Sequence, residues 1–318
     1  MLQRQHCATI CKYKKNIIIA YYEGQECTNN QRVVIEIWAG DKLILRNSLY
    51  PKTGNCVLAP SNNRLELIYS YFNDTNMDGK VCSINGQVRR WQYCSNWVAE
   101  IKSIQLDNTE VVYFNTKALQ IQPSIGFLTR CNPITVDNER ILPLYHEKYA
   151  YGRIMKQSNY SDWYTCGDIG MNNPRGFRMI QPTLWCDGSL HSLSRNFSNE
   201  KSFAIYSRSV DMGHTWSEPK LSEIDNHNNS LVVAHDSTSN PWVIWNYGYR
   251  RNNLVLGKLD GLKAVPLLKL NKTINGSYPN YCWDKGDLHI VHTDGVKIVH
   301  HKFSRSELSS LEGSKPIF

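Results

Sequence analysis

"SRSVDMGHTWSEP", residues Ser207–Pro219, is the most strongly patterned stretch of the chain. It places Ser209, Asp211, Gly213 and Thr215 at every second position and closes on Trp216. Short polar side chains and a Gly suit a tight turn, and the aromatic supplies a large apolar anchor. The same residues could also carry chemistry. The surrounding sequence must decide between the two.

Outward from this stretch one weak unit recurs: a polar turn, an apolar strand, then a partner hairpin. The strands are KKNIIIAYYE, SNNRLELIYSY, DNERILPLY, CDGSLHSLSR, SNPWVIWNYGY and DKGDLHIVHT, anchored at Ile17, Leu65, Ile141, Leu190, Val243 and Leu288. Successive anchors lie 48, 76, 49, 53 and 45 residues apart, so four of five spacings fall near one value. The partners are IEIWAGDKLIL, VCSINGQVRRW, IMKQSNYSDWY, YSRSVDMGHTW, VLGKLDGLKAV and VKIVHHKF. Alternating apolar residues with Gly, Asn and Asp at the joints are strand and hairpin chemistry. Six units of this length predict an all-β chain folded as a six-bladed β-propeller, one domain over residues 1–318. A sandwich would require shorter spacings. The long second gap predicts an insertion or loop between Asp107 and Pro123, and SRSELSSLEG is the best short helix candidate.

Composition narrows the class. With 318 residues, 41% hydrophobic and 18 Tyr, the chain can bury a large core. No apolar run reaches the length of a membrane helix. The first residues show no secretory signal pattern, so the expected location is cytoplasmic or within a virion or phage particle. Ten Cys without a C-x-x-C pair predict reduced, mostly buried thiols and no zinc site. The sequons at Asn73, Asn196 and Asn271 read as by-products of an Asn-rich sequence. A net charge of +8 without basic runs interleaved with aromatics disfavours nucleic acid and suits an anionic sugar. DTNMDG, Asp74–Gly79, matches the first half of an EF-hand loop, but Asn85 stands at its twelfth position, so a hairpin turn is favoured over calcium. No metal or cofactor is expected, and the oligomeric state is open.

Ser209-x-Asp211-x-Gly213-x-Thr215-Trp216 resembles the Asp-box of sialidase-type (neuraminidase) propellers, with remnants in NGQVRRW and SNYSDWY. HCATI, TRCNPI, RILPLYHE, IQPTLWCDGSL, WNYGYRRNNL, SYPN and LHIVHT follow the order seen in bacterial exo-alpha-sialidase BNR-repeat proteins. The resemblance spans nearly the whole chain. It implies that the Asp-box lies on the rim away from the substrate, with Asp211 capping its own turn and Trp216 packing between blades. It also implies a glycoside hydrolase: three Arg hold a carboxylated sugar, an Asp serves as acid/base, and a Tyr activated by Glu attacks.

The match at those positions is partial. His6 stands where the first Arg is expected. The loop QECTNNQRVV holds Glu26, Asn30 and Arg32 but no Asp. Tyr278 occupies the nucleophile position, with Asn275 and Gly276 before it rather than an acid. The catalytic candidates are therefore Tyr278, His6 and Glu23, the last read at the end of the first blade's inner strand. Arg130, Arg195, Arg251, Gln181 and Asn246 are the substrate-binding candidates. Three functions remain open: an exo-acting sialidase-like hydrolase on an acidic terminal sugar, His-dependent cleavage of a uronic-acid linkage through His6, and a non-catalytic glycan-binding propeller.

Overall fold

The computed structural model describes residues 4–24, 30–49, 51–61, 64–72, 83–84, 87–88, 91, 94–106, 109–121, 125–158, 161–171, 173–198, 202–236 and 241–318. Its strands form six antiparallel sheets, the blades of a propeller. Blade 1 runs outward through β1 (Gln5–Tyr13), β2 (Asn16–Glu23), β3 (Arg32–Ala39) and β4 (Lys42–Ser48). Blade 2 comprises β5 (Thr53–Pro60), β6 (Leu65–Phe72), β9 (Cys94–Leu106) and β10 (Thr109–Ala118), with a separate pair β7 (Ser83–Ile84) and β8 (Gln87–Val88) between β6 and β9. In blade 3, β11 (Phe127–Thr129) and β12 (Ile134–Val136) share the inner position, followed by β13 (Glu139–His146), β14 (Tyr151–Gln157) and β15 (Tyr164–Ile169). Blade 4 holds β16 (Met179–Cys186), β17 (Leu190–Asn196), β18 (Phe203–Ser209) and β19 (Lys220–Asp225). Blade 5 holds β20 (Val232–Ala234), β21 (Trp242–Asn246), β22 (Leu254–Asp260) and β23 (Lys263–Lys269). Blade 6 has β24 (Gly276–Asp284), β25 (Asp287–Asp294) and β26 (Lys297–Phe303), then helix α1 (Arg305–Glu312).

Each repeat anchor lies on the second strand of its blade, not the first. The second strands are the most legible because a neighbouring blade covers both faces. In β2, Ile18, Ala20 and Tyr22 enter the core shared with blade 2, while Ile17, Ile19 and Tyr21 enter the opposite core with Val291 of blade 6. A strand buried on both sides reads as a continuous apolar run. The exposed outer strand β4 does not.

Two sequence expectations are corrected. Residues 109–118 are β10, a full blade strand, so no long loop spans Asp107–Pro123; the extra length of blade 2 falls between β6 and β9. VCSINGQVRRW supplies the small β7–β8 pair instead of the outer strands of blade 2. Asn73, Asp74–Gly79, Asn85 and Glu26 lie outside the described residues. Helix α1 lies within SRSELSSLEG, with Ser304 and Glu307 forming a reciprocal capping box. Its Leu308 packs into the apolar core of blades 5 and 6.

The Asp-box is built as scaffolding. Asp211 accepts hydrogen bonds from Thr215 N and Oγ1 at 2.9 and 2.6 Å and from Ser209 Oγ at 2.7 Å. Trp216 joins Ile154, Ile169, Leu184 and Leu190 in the core between blades 3 and 4. A Cβ on Gly167 would lie 2.3 Å from Gly213 O, so the outer strand of blade 3 needs glycine to pass the box. Eight Cys are described and all are free thiols. The amides of sequon residues Asn196 and Asn271 are buried and donate to neighbouring Phe203 O and Asn252 O, respectively.

Candidate functional site at the axial mouth

The inner strands share a local device. β1, β5, β16 and β24 each break register with their second strand, between His6 and Thr9, Gly54 and Cys56, Ile180 and Thr183, and Ser277 and Asn280. In three of these bulges one residue adopts a left-handed conformation: Cys7 at φ 54°, Gln181 at φ 53° and Tyr278 at φ 53°. A bulge with a left-handed residue redirects the side chain. Gln181 and Tyr278 are brought into the group at the mouth, whereas Cys7 Sγ lies 3.9 Å from Tyr22 Oη in the core of blades 1 and 2.

Tyr278 is the centre of the resulting group. The His6 ring meets it edge-on at 4.6 Å between centroids. The guanidiniums of Arg251 and Arg130 lie 5.0 and 5.4 Å from its ring centroid. Nearby, Arg195 donates to Gln181 Oε1 at 3.2 Å and to Asn228 Oδ1 at 2.9 Å. Gln181 Nε2 in turn donates to the Tyr145 hydroxyl at 3.5 Å, as does Asn55 Nδ2. Arg251 is oriented by Asn229, whose Oδ1 accepts from its Nε at 3.0 Å.

Arg130 differs from the other two arginines. It is 1% exposed, and its Nη1 and Nη2 donate to Ala8 O at 3.3 Å and Pro279 O at 2.8 Å. From blade 3 it ties blades 1 and 6 together beneath the mouth. Asn132 of the same TRCNPI stretch does likewise, donating to Ile10 O and Tyr281 O at 2.8 and 3.0 Å. No described carboxylate pairs with Arg130, Arg195 or Arg251.

His6 is pushed well below the usual histidine range, first by burial and then by repulsion from Arg4, Arg251 and Arg130, so its ring is neutral at pH 7. Its Nδ1 is buried without a hydrogen-bond partner. Burial first, then the charge of Glu147, raises the Tyr145 phenol well above 10, so it stays protonated.

Glu23 is engaged elsewhere, and the Asn246 side chain makes no hydrogen bond to the group. Glu23 ends β2, the second strand of blade 1 and not its inner strand, and faces Arg32 and Arg46 at 2.9 and 2.6 Å. The Glu23 carboxylate is buried and committed to these two half-exposed guanidiniums, in a cluster to which Tyr21 and Glu36 also belong. Asn246 is buried on β21, opposite Leu254, with both amide atoms unpartnered. Its level in the sheet is that of Ser230, two residues beyond the Val232–Ile244 pair.

Sequence reading missed Asn55, Tyr145 and Asn229. A signal for the first was available. Residues 7, 55 and 278 each precede a repeat anchor by ten positions, and 181 precedes Leu190 by nine. Tyr145 follows its anchor Ile141 by four positions, but Tyr21, Tyr69 and Tyr247 follow theirs by the same offset, so the pattern does not single it out. Asn229 shares no such offset.

The Asp-box lies at the other end of the molecule. Gln181 and Arg195 are near the start of β16 and end of β17, whereas Ser209 pairs with Leu190, which pairs with Cys186 at the far end of β16. A cavity of about 400 Å³ opens at that far end, lined by Lys12, Asn132, Trp185, His235 and Trp283 among others. Lys12 there is held by Asp284 at 2.6 Å, and the Asn132 amide by backbone carbonyls.

Six four-to-five-stranded or three-stranded blades, an Asp-box rim and an opposed arginine-rich mouth define a sialidase-like β-propeller. The profile of the BNR repeat-like domain matches residues 37–290, and the chain belongs to that family. No curated protein matches it in sequence. Among solved structures, Trypanosoma rangeli sialidase in complex with the inhibitor DANA is similar at 13% identity and TM-score 0.70, covering 98% of this chain and 56% of that one. The chain thus spans little more than half the length of the trypanosomal sialidase. A Dyadobacter fermentans protein of unknown function aligns at 11% identity and TM-score 0.70, covering 94% of both chains. Hadza microbial sialidase Hz136 aligns at 9% identity and TM-score 0.67, covering 95% of this chain and 66% of that one.

Proposed function

We propose that the axial mouth binds the carboxylated terminal sugar of a glycan. The observation that carries this reading is the gathering of Arg130, Arg195 and Arg251 around Tyr278 and Gln181 with no described carboxylate to neutralise them. Unpaired guanidiniums in a partly desolvated site are costly, and a ligand carboxylate relieves that cost through charge-assisted hydrogen bonds. Arg251 and Arg195, each fixed through Nε by an Asn side chain, are suited to clamp the anion. Arg130 acts from beneath as fixed positive charge. The half-buried Tyr278 ring forms the surface on which the sugar rests. Titration calorimetry with sialyllactose and with a glucuronide tests this. Binding that falls at least tenfold in Arg251→Ala supports it; no binding of either sugar by the folded protein overturns it.

A hydrolytic second reading is favoured by one contact, the neutral His6 against Tyr278. In that reaction Tyr278 Oη bonds to the anomeric carbon as the bond to the aglycone oxygen breaks. The phenolic proton passes through solvent water to the departing oxygen, while neutral His6 packs against the ring without adding charge beside it. Water then releases the sugar and regenerates Tyr278. Glu23 is tied to Arg32 and Arg46, so the aglycone must leave without help from it. A 4-methylumbelliferyl sialoside, whose leaving group needs little acid assistance, is therefore the sensitive substrate, with a rhamnosyl-glucuronate alongside for the uronic-acid alternative. Turnover abolished in Tyr278→Phe supports hydrolysis. Sugar binding without turnover of either substrate leaves the protein a glycan-binding propeller.

A further inference from the structure

The connections at the mouth end carry a surface that sugar binding does not use. Tyr149 between β13 and β14, Tyr249 between β21 and β22, and Ile274 between β23 and β24 are 64%, 64% and 87% exposed. Val296, between β25 and β26, is also exposed and lies beside Ile274, because Gly295 N donates to Asn275 O at 3.1 Å. Exposed Lys148, Arg178, Arg250, Lys272 and Lys297 alternate with these tips. No carboxylate on the described mouth connections is exposed. Glu147 is half-buried, and Asp294 is held by the backbone N–H groups of Lys272 and Thr273 at 2.8 and 3.0 Å. The turns at the other end of the propeller are mixed: Asp41, Asp137, Asp187 and Asp260 are exposed there beside Lys14 and Lys42.

Apolar tips interleaved with basic side chains on one face are the composition of a membrane-surface contact. Tyr suits the headgroup level, aliphatic tips the acyl boundary, and Lys and Arg the anionic lipids. The aliphatic pair Ile274 and Val296 favours a bilayer over a polysaccharide, since sugar faces stack on aromatic rings and not on branched alkyl groups. We propose that this collar docks the protein, mouth first, on an anionic lipid surface. Docking of this kind needs neither Arg251 nor Tyr278, so it stands apart from the sugar reading while aiming the mouth at glycans borne by the same membrane.

The test is co-sedimentation of the full chain with phosphatidylcholine vesicles containing about one-fifth phosphatidylserine and no glycolipid, against pure phosphatidylcholine. The expected result is binding to the anionic vesicles at least tenfold tighter than to the neutral ones, weakening as salt rises. Ile274→Asp with Val296→Asp should lower it at least tenfold, as should Lys148→Glu with Lys272→Glu. Both double variants should keep wild-type thermal melting and sialyllactose affinity. Three outcomes overturn the proposal. One is absence of binding to anionic vesicles. Another is binding unchanged in both double variants. The third is binding that appears only when a sialylated glycolipid is added and disappears in Arg251→Ala, which would make the mouth the sole contact. Loss of sialyllactose binding in Arg251→Ala with vesicle docking intact separates the two readings.

Discussion

Arg130→Ala asks whether this arginine is a ligand clamp or a staple. The side chain is 1% exposed and donates to Ala8 O and Pro279 O, carbonyls of two other blades. Truncation strands both acceptors, at about 1–3 kcal/mol each. It also opens a cavity, for which large-to-alanine changes in cores cost about 2–5 kcal/mol. Loss of the guanidinium over Tyr278 adds about 1–2 kcal/mol. Against these stands relief from holding an unpaired buried cation, several kcal/mol in the opposite direction. The unfavourable terms win by roughly 3 kcal/mol, which at about 2 °C per kcal/mol lowers the melting temperature by roughly 6 °C. Arg130→Met keeps most of the volume and removes the charge, so it should lie within about 1 kcal/mol of wild type. Urea unfolding at constant m-value gives both numbers. An Arg130→Ala protein as stable as wild type that no longer binds sialyllactose would refute the reasoning and make Arg130 a clamp.

Arg251 should behave oppositely: Arg251→Ala removes sugar affinity while changing stability by less than about 1 kcal/mol, because its head is only half-buried. Glu23→Gln should destabilise by about 1–3 kcal/mol through the Arg32 and Arg46 cluster and leave any turnover intact; lost turnover at unchanged stability would return Glu23 to the catalytic candidates. Asp211→Ala should cost about 1–2 kcal/mol and leave sugar affinity unaltered, measured by thermal unfolding and calorimetry. Seven histidines, among them buried His6 and His292, are shifted downward chiefly by burial. The unfolded chain therefore binds more protons, and stability is full above the unfolded histidine pKa of about 6.5 and declines as pH falls below it. A melting temperature independent of pH between 7 and 5 would contradict this.

Local chemistry and covering pressure decided what could be read without coordinates. The Asp-box is a self-contained turn whose donors and acceptors all lie within Ser209–Trp216, so its structural role follows from sequence. The six second strands are legible because burial on both faces forces apolar runs at regular spacing, and that spacing specifies the propeller. Tyr278, His6, Gln181 and three arginines were also marked by sequence, the residues that meet at the mouth. Their division of labour was not. Whether an arginine is a staple like Arg130 or a half-free cation like Arg251 depends on which carbonyls two other blades present, and those lie more than a hundred residues away in the chain. Glu23 was misplaced for the same reason. Its partners Arg32 and Arg46 sit on outer strands, and only strand pairing shows that their pull on the carboxylate is local and complete. The exposed collar is the third such feature, since single apolar residues on four separate connections become one surface only when the ring of blades closes.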